Sequence, residues 1–297
     1  MKKLIATLTL AAAAAACSTQ QQGVTPGSQT SGTPTADSPS PLAPTQSTGT
    51  TRVAIYYLVA GEEDVFLTPE RHHVAKTQAI ARAALEELLH GTAQDEDHTV
   101  PFPKSARINS VVINDEVATV DWSAEVLEGS GGARVEELAI QSIVYTLTEF
   151  STIAKVRFTI EGKDSGTASN GRRIEDFWGH VGLSDQPWDR DPEIEVLSPI
   201  TLWSPLDGTS SSGTLNLSGL AQTFEANVGI ILRDAKGRVV VQTSATALEA
   251  APAREPFTKR IKFDVPSTPQ TWTLEVFEAS AMDGSIDFME DRTIKVG

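Results

Sequence analysis

The hydrophobic period of the chain changes once, close to residue 193, and this change constrains what each half can fold into. Before it, two segments repeat their apolar residues every three to four positions, as amphipathic helices do: KTQAIARAALEELLHG (76–91) and RVEELAIQSIVYTLTEF (134–150). After it, apolar residues alternate over short segments that are separated by turn residues. The first half therefore predicts an α+β domain, and the second half predicts an all-β domain.

Strand patterns surround the two predicted helices. RVAIYYLV (52–59) and VFLTPERHHV (65–74) precede the first helix, and Thr68 and Pro69 interrupt the second of these strands. The segment 107–123 predicts a hairpin that turns at Asn114–Glu116, and AKVRFTIEG (154–162) predicts a final strand. The order β-β-α-β-β-α-β favours two helices on one face of a mainly antiparallel sheet.

The C-terminal part contains seven short candidate strands. They are EIEVLSP, GTLNLSGLAQ, NVGIILRD, RVVVQTSATA, FTKRIKFDVP, TWTLEVFEAS and RTIKVG. Asp234 to Gly237 predicts a hairpin turn between two of them, and MDGS (282–285) predicts another. Seven short strands in about 100 residues favour an immunoglobulin-like sandwich. Because the chain has one cysteine, apolar packing alone must hold this sandwich together.

That cysteine, Cys17, follows a short leader. Lys2 and Lys3 precede an apolar stretch, Leu4–Ala16, that is too short to cross a bilayer but suits a secretory signal peptide. The small residues before Cys17 resemble the lipobox of bacterial lipoproteins, although the position three before the cysteine is usually leucine and here is Ala14. We expect a signal peptide over 1–16 and acyl chains, of the palmitate kind, on Cys17. The alternative is ordinary secretion with an incidental free thiol.

The segment after Cys17 is polar and almost uncharged. From Ser18 to Thr51 it consists mainly of Ser, Thr, Gln, Gly and Pro, with Asp37 as its one charged residue. Such a composition buries too little apolar surface to offset chain entropy. We therefore predict a lipidated, disordered tether over 17–51, which holds the folded part off a membrane surface.

Both folded parts resemble known bacterial families. Residues 52–163 resemble a GerMN domain of sporulation and spore-germination lipoproteins, through YYLV, ALEELLHG, VPFPKSARINSVVINDEVATVDWS, IVYTLTEF and VRFTIEG. Residues 193–297 resemble the immunoglobulin-like domain of bacterial spore germination, through IEVLSP, LSGLAQTFEANV and Pro256–Phe257. Residues 164–192 are predicted to be an irregular connector. The resemblance implies a scaffolding or interaction role and carries over no catalytic residues.

A search for chemistry-bearing motifs gives none. The neighbours His72 and His73 point to opposite faces of a strand, and the segment Gln94–His98 is predicted to be a solvated loop. No G-x-S-x-G turn or P-loop lysine in register is present. The sequence therefore predicts no catalytic residues, no metal site and no cofactor. The candidate interaction residues are four aromatic side chains: Phe177, Trp178, Trp188 and Trp203.

The net charge of −15 argues against nucleic acid as a partner, because phosphate binding requires a basic surface. The leading hypothesis is a non-catalytic lipoprotein, anchored in the cell membrane through Cys17 on the extracytoplasmic face. Its expected partners are envelope proteins or peptidoglycan-associated molecules. The alternative is a cell-wall glycan-binding protein, which uses Trp178, Trp188 or Trp203, or a glycan hydrolase with paired carboxylates.

Overall fold

A computed structural model describes residues 49–62 and 64–297. The predicted signal peptide, Cys17 and the predicted tether up to residue 48 lie outside the described residues. The described residues form one compact unit. No helix in the described part of the chain is long and apolar enough to cross a membrane.

The first part contains two helices and two small sheets. Its elements are β1 (Thr50–Ala60), β2 (Val65–Ala75), α1 (Ile80–His90), β3 (Ile108–Asn114), β4 (Val117–Trp122), α2 (Ala133–Thr148) and β5 (Lys155–Ile160). β1 and β2 pair antiparallel, and a second sheet has the order β3-β4-β5. β4 and β5 pair in parallel, since α2 crosses over between them. The expected α+β class is confirmed, with its strands divided between two sheets.

Two local predictions in this part have different outcomes. The turn at Asn114–Glu116 is confirmed: Asp115 and Glu116 have φ values of 49° and 63°, as a two-residue turn of type I′ requires. The interruption of the second strand is wrong, because β2 continues through Pro69, which pairs with Tyr56. A two-stranded sheet has only edge strands, so the missing proline N–H can face away from the ladder.

The second part is a sandwich of two sheets. Its elements are α3 (Glu193–Val196), β6 (Ile200–Ser204), β7 (Thr209–Ser211), β8 (Thr214–Ala221), β9 (Asn227–Arg233), β10 (Val239–Thr246), β11 (Glu255–Lys262), β12 (Gln270–Ala279) and β13 (Ile286–Val296). One sheet has the order β10-β9-β12-β13-β7, and the other has the order β11-β8-β6. Trp272, Leu274 and Val276 of β12 are buried between the sheets, as their alternation predicts. The strand expected at EIEVLSP is wrong, because Glu193–Val196 form a helical turn and β6 begins at Ile200.

Each part has its own apolar core. The segment 164–192 consists of turns and bends, yet it completes the core of the first part. Four of its apolar side chains are buried there: Ala168, Ile174, Phe177 and Leu183. The core of the second part lies between the two sheets and also receives Val59 from β1.

Candidate functional site

β2 is the strand through which the first part joins the sandwich. Ser198 donates its N–H to the carbonyl of Leu67 at 2.8 Å. Phe66 packs edge-on against Phe288, with 5.8 Å between the ring centroids, and Val59 enters the sandwich core. A charged group that is buried at this junction must find its partners inside the protein.

Six ionisable side chains are buried at this junction, and we call them the junction cluster. β2 contributes Glu70 and His72, the loop after α1 contributes Asp95 and His98, and β13 contributes Glu290 and Arg292. Each of the six is at most 7% exposed. Burial of charges on this scale is tolerated only where they pair and accept or donate hydrogen bonds.

Glu70 lies at the centre of the cluster. Its carboxylate binds His72 Nε2 and His98 Nδ1, both at 2.6 Å, and it accepts the backbone N–H groups of Gln94 at 2.8 Å and Asp95 at 3.2 Å. Burial alone would raise the pKa of Glu70, but the hydrogen bonds from the two histidines and Gln94 lower the pKa to about 2. Glu70 therefore remains a carboxylate that fixes both imidazole rings.

Both histidines of the cluster lie next to carboxylates that raise their pKa values. Burial lowers the pKa of His98, but the carboxylates of Glu290 and Glu70 outweigh that effect and raise it to about 9. The pKa of His72 is also raised against burial, because its ring lies between Glu70 and Glu87, the latter at 2.8 Å from Nδ1. The carboxylates around both imidazoles therefore favour a positive charge at this place.

Arg292 connects the sandwich to the loop after α1. Its guanidinium donates one hydrogen bond to Asp95 and another to Glu290 Oε2, the latter at 2.9 Å. His98 Nε2 lies 3.7 Å from the same Glu290 oxygen and 4.0 Å from Asp95 Oδ2, beyond hydrogen-bond range. Among the described residues, neither His98 Nε2 nor Glu290 Oε1 has a hydrogen-bond partner.

Solvent clefts lie on two sides of the cluster. One, of about 310 Å³, is lined by Asp95, His98 and Arg292 together with residues of both parts: Arg52, Arg71, His73, Trp203 and Asp207. The other, of about 390 Å³, is lined by Asp95, Glu290 and Arg292 with Gly61, Glu62, Asp97 and Asp291. Small solutes and ions can therefore approach the buried side chains from either cleft.

A second surface feature lies on β3. This strand pairs with β4, and no strand in the described part of the chain covers its other edge. Val112 is 48% exposed and Ile113 is 41% exposed. An adjacent groove of about 750 Å³ is lined mainly by apolar side chains: Ile80, Ala81, Val111, Ile113, Phe150 and Ile153. Arg82 donates to the carbonyls of Ile108 and Asn109, so the edge is open beyond residue 109.

Comparison with protein families assigns both parts. Residues 54–166 match the Germane family, described as sporulation and spore germination. Residues 199–285 match the Gmad2 family, described as the immunoglobulin-like domain of bacterial spore germination. The chain contains a Germane domain followed by a Gmad2 domain. Both family descriptions refer to spore germination, which indicates a sporulation- or germination-related protein.

Solved structures give weaker likenesses. The first GerMN domain of the sporulation protein GerM from Bacillus subtilis is 24% identical with a TM-score of 0.35, over 48% of this chain and 98% of that chain. The tandem GerMN domains of that protein are 18% identical with a TM-score of 0.37, over 72% of this chain and 62% of that one. A putative lipoprotein from Clostridium perfringens is 18% identical with a TM-score of 0.33, over 48% and 88%. No curated protein sequence matches this chain.

The four predicted interaction residues occupy two different places. Phe177 is 4% exposed and stacks on Trp178 with 5.0 Å between centroids, while Trp188 packs edge-on against Phe158 at 5.0 Å. These three aromatic side chains pack together in or against the Germane core. Trp203 alone lines the junction cleft, where the Arg71 guanidinium lies over its ring. The predicted lipidation site, Cys17, lies outside the described residues.

Sequence reasoning missed the junction cluster. The segment Gln94–His98 is a loop, but the prediction that it is solvated is wrong, because Asp95 and His98 are buried against Glu70 and β13. One signal was present in β2, where Glu70 and His72 alternate with exposed residues and share a face with buried Val74. Polar residues at inward strand positions indicate partners elsewhere in the fold.

Proposed function

We propose that this protein is a membrane-anchored extracytoplasmic lipoprotein that acts as a non-catalytic scaffold or interaction module in the cell envelope. The leader, the small residues before Cys17 and the polar segment that follows support the anchor. A lipoprotein anchor supplies at least two acyl chains, which is enough for stable attachment where one chain is marginal. The order Germane then Gmad2 supports a role in sporulation, germination or a related envelope assembly.

The open edge of β3 is the observation that supports binding of a protein partner. An unpaired strand edge offers backbone N–H and C=O groups to an extended segment of another chain. Val112 and Ile113 add exposed apolar surface, and the groove beside them has room for alternate side chains of such a segment. We therefore propose that envelope proteins dock here through an extended strand. The Gmad2 domain belongs to the same compact unit as the Germane domain and is part of the resulting complex.

Glycan binding has less support. The rings of Trp178 and Trp188 pack against the Germane core, and Arg71 covers the ring of Trp203. A glycan platform needs an open aromatic face, so we propose no glycan role for these side chains.

Mass spectrometry of the native protein tests the anchor. We expect a mature N-terminus at Cys17 that carries acyl groups, and incorporation of a labelled fatty acid that Cys17→Ser abolishes. A native product with an unmodified thiol behind an intact leader, or one found in the cytosol, would overturn this part of the proposal.

Crosslinking in intact cells tests the scaffold role separately. A photoreactive amino acid in place of Val112 should capture envelope proteins, and Ile113→Lys should reduce that capture at least fivefold by placing a charge in the groove. Met282→Lys is the matched control, because Met282 is 96% exposed in a loop of the Gmad2 domain. Equal capture by Ile113→Lys and by the unsubstituted protein, with both folded by circular dichroism, would exclude β3 as the docking edge.

A further inference from the structure

We propose that Asp95, His98 and Glu290 form a binding site for a divalent transition metal of the zinc class, which links the Germane domain to the Gmad2 domain. Two of these residues lie in the loop after α1 and the third lies on β13. The proposal goes beyond the scaffold role and depends on neither the anchor nor β3.

The distances fit a small metal ion. One potential ligand atom from each of the three side chains lies within 4.8 Å of the others. In a tetrahedral zinc site, bonds of about 2.0–2.2 Å place ligand atoms roughly 3.3–3.6 Å apart. From His98 Nε2, the separation to Glu290 Oε2 is 3.7 Å and that to Asp95 Oδ2 is 4.0 Å, so the first needs to shorten by roughly 0.1–0.4 Å and the second by roughly 0.4–0.7 Å.

Two buried polar atoms of the proposed site are unsatisfied. His98 Nε2 and Glu290 Oε1 have no hydrogen-bond partner among the residues that the structure describes. The side chains are 3% and 2% exposed, so bulk water does not satisfy these atoms. Buried polar atoms without a protein partner are few in native proteins, and a bound ion is one of the explanations for such an atom.

The surrounding residues orient all three ligands. His98 donates Nδ1–H to the Glu70 carboxylate at 2.6 Å, which directs Nε2 toward Asp95 and Glu290. A carboxylate behind the ligating imidazole commonly supports a metal-bound histidine. Arg292 holds Glu290 through Oε2 and Asp95 through Oδ2, and the N–H of Asp97 holds Asp95 through Oδ1 at 3.0 Å.

The charge of the site also favours a divalent cation. Glu70, Glu87, Asp95 and Glu290 contribute four negative charges, and Arg292 and a protonated His72 contribute two positive charges. A divalent ion with a neutral His98 brings this group to zero, whereas a proton on Nε2 leaves one negative charge buried. A proton on His98 Nε2 is the alternative to the metal ion. In that case the cluster is an ion-pair network without metal.

Zinc titration of the full-length protein, after chelator treatment and in a fresh buffer, distinguishes the two. We expect one zinc ion per chain by isothermal titration calorimetry and a higher unfolding midpoint with zinc than with chelator. His98→Gln and Glu290→Gln should each weaken binding at least tenfold, and Glu70→Gln should weaken it about 10- to 100-fold. His90→Gln is the matched control, since His90 is exposed at the end of α1.

Cobalt provides a readout that does not depend on how the variants fold. Co²⁺ bound to the unsubstituted protein should give visible absorption bands of a four-coordinate N/O site, which zinc abolishes by displacement. Absence of stoichiometric zinc binding, or binding by His98→Gln and Glu290→Gln that equals the unsubstituted protein, would overturn the proposal and leave a purely protonic cluster.

Discussion

The carboxylate of Glu136, a fully buried side chain of α2, accepts the backbone N–H of His180 at 2.9 Å. The same carboxylate accepts the N–H groups of Val181 at 2.9 Å and Gly182 at 3.0 Å. Three consecutive backbone donors of the irregular segment therefore converge on one acid of the helix. This arrangement explains how a segment without helices or strands is held against the Germane core.

Glu136→Gln should destabilise the protein by about 2–3 kcal/mol, because glutamine loses the charge and turns an amide donor toward backbone donors. Chemical denaturation followed by tryptophan fluorescence measures the change, and limited proteolysis should cut within 164–192 at a lower protease concentration. Glu137→Gln is the control, since the Glu137 side chain is 42% exposed. Equal stability of the Glu136→Gln protein would show that the backbone donors find other acceptors.

Gly129→Ala should disturb the same core from another side. A Cβ at residue 129 would collide with the indole of Trp178, whose Nε1 donates to the carbonyl of Val126 at 2.9 Å. Overpacking of this kind costs about 1–3 kcal/mol, so we expect a lower unfolding midpoint and altered tryptophan emission. Gly132→Ser is the control, because a Cβ there meets no atom within 4 Å. Unchanged emission and stability in Gly129→Ala would contradict the packing described for Trp178.

Arg292→Met should destabilise the chelator-treated protein more strongly than a surface change does. It leaves the carboxylates of Asp95 and Glu290 buried without their cationic partner, and breaking a buried pair in this way costs about 3–5 kcal/mol. Arg260→Met, at an exposed position of β11, should change the free energy of unfolding by less than about 0.5 kcal/mol.

The double variant Glu290→Gln with Arg292→Met tests the pairing itself. Because it removes both partners of one contact, it should be less destabilised than the sum of the two single variants. Strict additivity of the two changes would show that Arg292 does not compensate Glu290.

The sequence predicted those features that depend on residues close together in the chain. The hairpin turn at Asn114–Glu116 and the alternation of Trp272, Leu274 and Val276 depend on neighbouring residues, and both predictions are confirmed. The family resemblance also placed both domains in the observed order. Local patterns were sufficient wherever the local preference and the tertiary contacts agree.

The junction cluster could not be predicted in this way. Glu70, His98 and Glu290 come from three separate parts of the chain and meet only because β2 packs against the sandwich. Glu136 lies in the first turn of α2, where an acid usually faces solvent at the positive end of the helix, but the segment around His180 folds over it and buries it. In both cases the decisive contact is between residues distant in sequence, and a single sequence contains no periodic signal for it.

The hairpin turn between β9 and β10 makes a pH-dependent prediction. Asp234 accepts the backbone N–H groups of Lys236 at 2.8 Å and Arg238 at 3.0 Å, and its second oxygen accepts Nε–H of Arg238 at 2.8 Å. The hydrogen bond from the Arg238 side chain, followed by those from the backbone, holds the pKa of Asp234 below its ordinary value.

Because the folded pKa is the lower one, this carboxylate stabilises the protein fully above the unfolded pKa, near 3.9, and the contribution is lost as pH falls through the folded pKa. Asp234→Asn should therefore unfold at a lower temperature than the unsubstituted protein at about pH 7, and the difference should shrink as the pH is lowered toward about 2. Thermal unfolding followed across that range measures this convergence, with Asp264→Asn, at an exposed position after β11, as the control. A difference that stays constant with pH would mean that the asparagine acts through geometry alone and that the charge of Asp234 does not stabilise the turn.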